Sequence, residues 1–200
     1  MRKILVWDFP TRAFHWLLAL SFAGAFLTAE SERYRDVHVT LGYTMLGLVA
    51  FRLVWGLIGT RYARFWSFAF GPRSVLTYLK SLLTRSPQHY VGHNPAGSWA
   101  IYALLTLIVL AGASGWATYE DLGGHWMEEV HEAFSNLLLA VVALHIAGVA
   151  VSSLVHGENL VRSMVTGYKS GEPAAGVRYR HRAIGAALVA AVAVFWIAGP

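Results

Sequence analysis

The chain has 200 residues, 56% of them hydrophobic and only 14% charged, with nine histidines, no cysteine and a formal net charge of +5. A soluble globular chain is about 25% charged, so this composition excludes an ordinary water-facing domain, and its aromatic content excludes a disordered one. With no cysteine, disulfides, iron–sulfur clusters, thiolate zinc sites, thiolate nucleophiles and covalent c-type haem attachment are all excluded.

A helix that crosses a membrane needs about 20 mostly apolar residues. In chain order, residues 14–29, 39–59, 97–117 and 133–155 meet that need to different degrees, and a fifth run at 183–199 stops at the chain end. The first run reads as a permanent helix with Asp8 or Thr11 near its start and Pro10 in its first turn. A cleaved signal peptide ending at Leu27-Thr28-Ala29 is the rival reading, and Asp8 within a long leading segment argues against it. Residues 73–84 carry Val75, Leu76, Leu79, Leu82 and Leu83 at helical spacing beside Arg73, Lys80 and Arg85, which predicts a short helix lying on the membrane surface. Residues 170–176 read as a flexible linker. The fold expected is therefore all-α: an integral membrane four-helix bundle over residues 1–170, then a linker and an additional transmembrane helix over 171–200.

Charge sorts the connections. The N-terminal segment, residues 59–96, residues 156–182 and Arg52 hold 14 of the 16 basic residues. The two remaining connections hold only Arg33 and Arg35, together with eight of the eleven acids, among them Glu30, Glu32, Asp36, Glu128 and Glu129. Lys and Arg mark the cytoplasmic side, so the N-terminus is expected inside and the acidic connections outside. The positive charge is thus a topology signal, and no nucleic-acid partner is needed to explain it. The acidic loops would also offer a basic partner an electrostatic dock, although sidedness by itself explains them.

Ionisable residues within spans are costly and tend to face the bundle interior, where they pair, ligate or relay protons. Four histidines fall in matched positions. His15 opens the first span toward the inside, and His38 opens the second toward the outside. His131 precedes the fourth span and His145 lies within it, fourteen residues on. Fourteen residues are nearly four turns, so both point to one face, ~21 Å apart. Histidines at two levels, without thiolates and with few buried carboxylates, point to bis-imidazole haem. Zinc would want further ligands close by, and a proton relay would more naturally include Asp or Glu within the spans. Arg52 follows His38 by fourteen residues, again ~21 Å deeper on nearly the same face. There its guanidinium either neutralises haem propionates or snorkels to the headgroups. Gly42, Gly47, Gly112, Gly115 and Gly148 leave room for a porphyrin or for close helix packing. His156 shares the face of His145 but lies ~37 Å from His131, at the headgroup boundary. His93, in Gly92-His93-Asn94-Pro95, reads as a structural turn residue, and His89, His125 and His181 as solvated loop residues.

Phe14-His15-Trp16, His38 with Gly42-Tyr43, Glu129-Val130-His131-Glu132 and Leu144-His145 resemble the bacterial cytochrome b561 group. Asp8-Phe9-Pro10-Thr11-Arg12, Gly92-His93-Asn94-Pro95-Ala96-Gly97 and Glu158-Asn159-Leu160 are similar to its branch of hydrogenase-type cytochrome b subunits. The resemblance covers roughly residues 5–170. It implies a four-helix core with two non-covalent b haems, the inner bound by His15 and His145 and the outer by His38 and His131. It also implies a bacterial inner-membrane protein that passes electrons between the quinone pool and a periplasmic partner such as a c-type cytochrome. Two other expectations stand beside that one: a superoxide oxidase with quinone as acceptor, and the membrane-anchor subunit of a hydrogenase-like complex. A proton-coupled transporter using the histidines would instead be colourless. The fifth span departs from the family's four-span pattern.

Overall fold

Seven α-helices and one two-stranded sheet make up the described residues, 2–84 and 86–199, of the computed structural model. Arg85, one of the charges beside the expected surface helix, lies outside them. Helix α1 (Phe9–Thr28) starts where Asp8 Oδ1 accepts the Thr11 N–H at 2.8 Å, with Pro10 in the first turn. That pairing suits a helix start, because the cap satisfies a free N–H and proline lacks one. Helix α2 is Arg35–Ile58. Helix α3 (Pro72–Ser81) buries Tyr78, whose hydroxyl meets Ser152 Oγ at 3.2 Å, and leaves Leu76 and Leu79 exposed, as a surface-lying helix would.

Helix α4 (Pro95–Tyr119) repeats the α1 solution: Asn94 Oδ1 accepts from the Gly97 N–H at 2.7 Å and Pro95 follows the cap. Helix α5 (His125–His156) has 32 residues and ends at Gly157, whose φ of 62° is the left-handed conformation of a helix stop. At ~48 Å it outreaches a ~30 Å hydrocarbon layer. It begins eight residues before the apolar run expected at 133–155, because helical hydrogen bonding continues through Glu128, Glu129 and Glu132 into the polar region. His125 is accordingly helical and not a loop residue. A short helix α6 (Leu160–Thr166) follows, then α7 (Arg182–Ala198). The helical stretch Glu32–Ile58, α4 and α5 are long and apolar enough to cross a membrane, and α7 is a shorter apolar helix.

The helices pair as α1 with α2 and α4 with α5, and α2 joins the two pairs by packing on α4. Phe14, Leu48, Val49, Leu105, Ile108 and Leu138 form the shared core. Helix α5 packs mainly on α4 and approaches the backbones of α1 and α2 less closely, meeting them through side chains such as Leu138. Helix α7 lies along α1, with Gly185 against Phe9, and its Trp196 Nε1–H donates to Thr44 Oγ1 on α2 at 2.9 Å.

The expected linker at 170–176 is not one. Strand β1 (Arg2–Leu5) pairs antiparallel with β2 (Tyr168–Gly171), Lys3 opposite Ser170 and Ile4 opposite Lys169. The nearly buried Lys169 ammonium meets Glu158 at 2.8 Å and donates to the Tyr90 carbonyl at 3.3 Å. This sheet closes the basic end of the bundle.

Asp8 locks that end to α2. It is fully buried, and besides Thr11 it accepts from Trp55 Nε1–H at 3.1 Å and from the Thr60 hydroxyl at 2.6 Å. Asp8→Ala removes a cap and orphans the buried Trp55 N–H and the half-buried Thr60 hydroxyl, a loss of about 3 kcal/mol. Thermal unfolding in detergent should show a clearly lowered midpoint, partly recovered in Asp8→Asn. An unchanged midpoint in Asp8→Ala would contradict this role.

Candidate functional site

The two ends of the bundle are built differently. At the acidic end, α2 presents His38 and α5 presents His131. His38 Nδ1 lies 2.8 Å from the Ala25 carbonyl of α1, and His131 Nδ1 lies 2.9 Å from the Ala111 carbonyl of α4. A carbonyl only accepts, so each Nδ1 carries the proton and each Nε2 keeps a free lone pair. The ring centroids are 6.2 Å apart with planes at 89°. A first-row metal held at ~2 Å by each of two facing imidazole nitrogens sets their centroids about 6 Å apart. The pair therefore has the spacing and the tautomers of a bis-imidazole iron site.

Gly115 of α4 backs this site: a Cβ there would fall 2.8 Å from the His131 ring. It allows close approach of α4 to the imidazole. Gly112 is likewise filled, by Leu46. These two glycines serve packing, the second of the two roles the sequence left open for them. A Cβ on Gly42, Gly47 or Gly148 would meet nothing within 4 Å, so open space remains beside those three, on α2 and α5.

The basic end gathers His15 of α1, His145 of α5, Arg52 of α2 and His93 of the turn before α4. His15 and His145 lie toward this end on α1 and α5, and the His15 Nδ1 is buried with no hydrogen-bond partner. Arg52 does not snorkel. It is 3% exposed, its guanidinium 4.7 Å from the Phe65 ring centroid and 5.9 Å from that of Phe68. The aromatic segment between α2 and α3 thus encloses the cation.

His93 was the residue that sequence reasoning passed over. Its ring sits between Trp7 (4.6 Å) and Phe68 (4.4 Å), and its Nδ1 is buried without a partner. Burial holds its imidazole neutral, with the pKa lowered to about 3, and Arg52, Lys169, His145 and His15 push the same way. The motif Gly92-His93-Asn94-Pro95 held the signal, since Asn94 and Pro95 account for the helix start and leave His93 unexplained.

The other histidines stand apart. His156, the last residue of α5, faces His89 at 5.4 Å, and His89 meets Glu158 at 3.3 Å. His125 pairs with Glu128 and Glu129 on its own helix. His181 packs on Trp55 at 5.3 Å, so it is not simply solvated. Among the described residues there is no group of three or more His, Asp or Glu side chains that could hold a metal ion by themselves.

A family model described as prokaryotic cytochrome b561 matches residues 6–167. Curated relatives are similar over most of their length. A probable Ni/Fe-hydrogenase B-type cytochrome subunit of Rhizobium leguminosarum bv. viciae is 24% identical, covering 83% of this chain and 88% of its own. Its counterpart in Azotobacter chroococcum mcd 1 is 25% identical with the same coverage. A probable Ni/Fe-hydrogenase 1 B-type cytochrome subunit of Escherichia coli (strain K12) is 21% identical over 82% of this chain and 90% of its own. No solved structure matches. The chain belongs to the prokaryotic cytochrome b561 family, and it is a bacterial multi-pass membrane protein that binds b-type haem and carries electrons.

Proposed function

We propose that the chain carries electrons across the membrane through two b haems, one ligated by His38 and His131 and one by His15 and His145, with Arg52 neutralising propionates of the second. The acidic-end pair carries this reading: two imidazoles on different helices face each other at iron-ligating separation, each with its Nδ1 proton engaged by a backbone carbonyl. Those carbonyls orient the rings and make each Nε2 more basic. Helix α5 contributes one histidine to each end, ~21 Å apart along its axis. Bound in these positions, haem supplies a one-electron carrier near each membrane face. The residues 1–170 then form the di-haem unit. Residues 171–200 add a helix that supplies none of the four ligands.

The distribution of Lys and Arg supports a cytoplasmic side for the N-terminus and the His15–His145 end. The electrons pass between membrane quinone and a partner at the acidic face. The relatives' names favour a hydrogenase-type partner over a free c-type cytochrome. Oxidation of superoxide has less support, because an anion would approach a face dominated by Glu30, Glu32, Asp36, Glu128 and Glu129.

Vesicles that contain the purified protein, with ferricyanide trapped inside and dithionite outside, test transmembrane transfer. The native chain should reduce the trapped ferricyanide, and His38→Ala or His15→Ala should abolish the protein-dependent rate. A wild-type rate in either variant would overturn the two-haem path. Gly115→Val pushes a side chain into the His131 ring and should lose about half of the bound haem, read from the reduced b-type band, while the chain remains helical. Full haem retention would show that His131 does not need its present position.

A further inference from the structure

Six side-chain polar atoms are buried without a partner among the described residues, all toward the basic end, and three of them are His15 Nδ1, Arg52 Nη1 and His93 Nδ1. The first belongs to a proposed iron ligand. The other two have no role in ligation. No carboxylate lies within ion-pairing distance of Arg52 among the described residues. The acid whose field it feels, Asp8, already accepts from Thr11, Trp55 and Thr60. An enclosed guanidinium without an anion is expensive in a low-dielectric interior, so the place beside it suits an anion.

Phe68 defines that place. It is buried, the Arg52 guanidinium stands 5.9 Å from its centroid, and the His93 ring lies 4.4 Å from it. Both unpartnered donors therefore lie against one aromatic ring. The turn bearing His93 is fixed on both sides: Asn94 caps α4, and Gly92 abuts the Tyr62 ring so closely that a Cβ would fall 2.5 Å from it. His93 also lies within electrostatic reach of His15 and His145.

We propose that His93 is a positioning residue for the haem held by His15 and His145, donating its Nδ1–H to a propionate carboxylate that also pairs with Arg52. This rests on the ligation proposed above. A carboxylate suits the pair because it accepts from a guanidinium N–H and an imidazole N–H at once. His93 would then, together with Arg52, hold the carboxylate and so fix how the bound group is oriented at this end.

The competing role for His93 is that of an aromatic wedge between Trp7 and Phe68, and paired variants separate the two. His93→Phe keeps the wedge and loses the donor, whereas His93→Gln keeps an N–H donor. With native protein in detergent, haem transfer to excess apomyoglobin reads dissociation from each site, and a redox titration reads each haem's potential. His93→Phe should release one haem about tenfold faster, shift that haem's potential and leave the other haem unaffected. His93→Gln should recover most of the retention. His93→Phe combined with Arg52→Gln should cost less than the sum of the two, since both act on one carboxylate. Unchanged release and potentials in His93→Phe would overturn the proposal.

If His93→Phe does not fold, Arg52→Lys and Arg52→Met decide. Met should speed release of one haem and raise the melting temperature of the haem-free chain, because an unpaired buried charge is gone, while Lys should do neither. Equal haem release by both Arg52 variants would overturn the shared-carboxylate arrangement. Failure of the underlying ligation reads differently: His15→Ala would then keep the native haem content whatever His93 does.

Discussion

Inside a bundle surrounded by lipid, each polar atom has to find its partner within the protein, and that requirement organises this molecule. His38 and His131 meet it with one nitrogen each, through the carbonyls of Ala25 and Ala111. What remains is one free Nε2 lone pair on each ring, the ring centroids 6.2 Å apart. Asp8 meets it completely, with three donors on two helices and the connection after α2. His15, Arg52 and His93 do not meet it within the protein. The unsatisfied atoms collect at one end, where the chain leaves its chemistry to be completed by the group it binds.

The same helices serve both ends. Helix α1 contributes His15 at its start and, ten residues later, the Ala25 carbonyl that orients His38. Helix α2 contributes His38 at one end and Arg52 fourteen residues on. Helix α5 contributes His131 and His145. Displacing any of these helices along its axis would disturb both sites at once, so the bundle behaves as one scaffold with two stations. The family model stops at residue 167. Helix α7 lies beyond it, fastened to α1 at Gly185 and to α2 through Trp196 and Thr44.

The helices were legible in the sequence because apolar runs and caps such as Asp8 and Asn94-Pro95 are local signals. The length of α5 was not, since a helix running past the membrane carries Glu128, Glu129 and Glu132 and no longer looks apolar. The pairing of β1 with β2 joins segments more than 160 residues apart, and four-residue strands carry no periodicity strong enough to show it. The four matched histidines stood out through spacing alone. The burial of Arg52 did not, because it depends on Phe65 and Phe68, which a connection folds back over α2. His93 was hidden for a related reason: its motif had a sufficient structural explanation in Asn94 and Pro95, and only the placement of Trp7, Phe68 and Arg52 around the ring shows an unpartnered donor.

The account's central claim is that α5 shares two haems with α1 and α2, and the most direct test is the haem-to-chain ratio of the purified protein by pyridine haemochrome. The account predicts two haems per chain in the native protein, one in His38→Ala and none when His131 and His145 are both replaced by alanine. One haem in the native chain, or haem retained in the double variant, would contradict it.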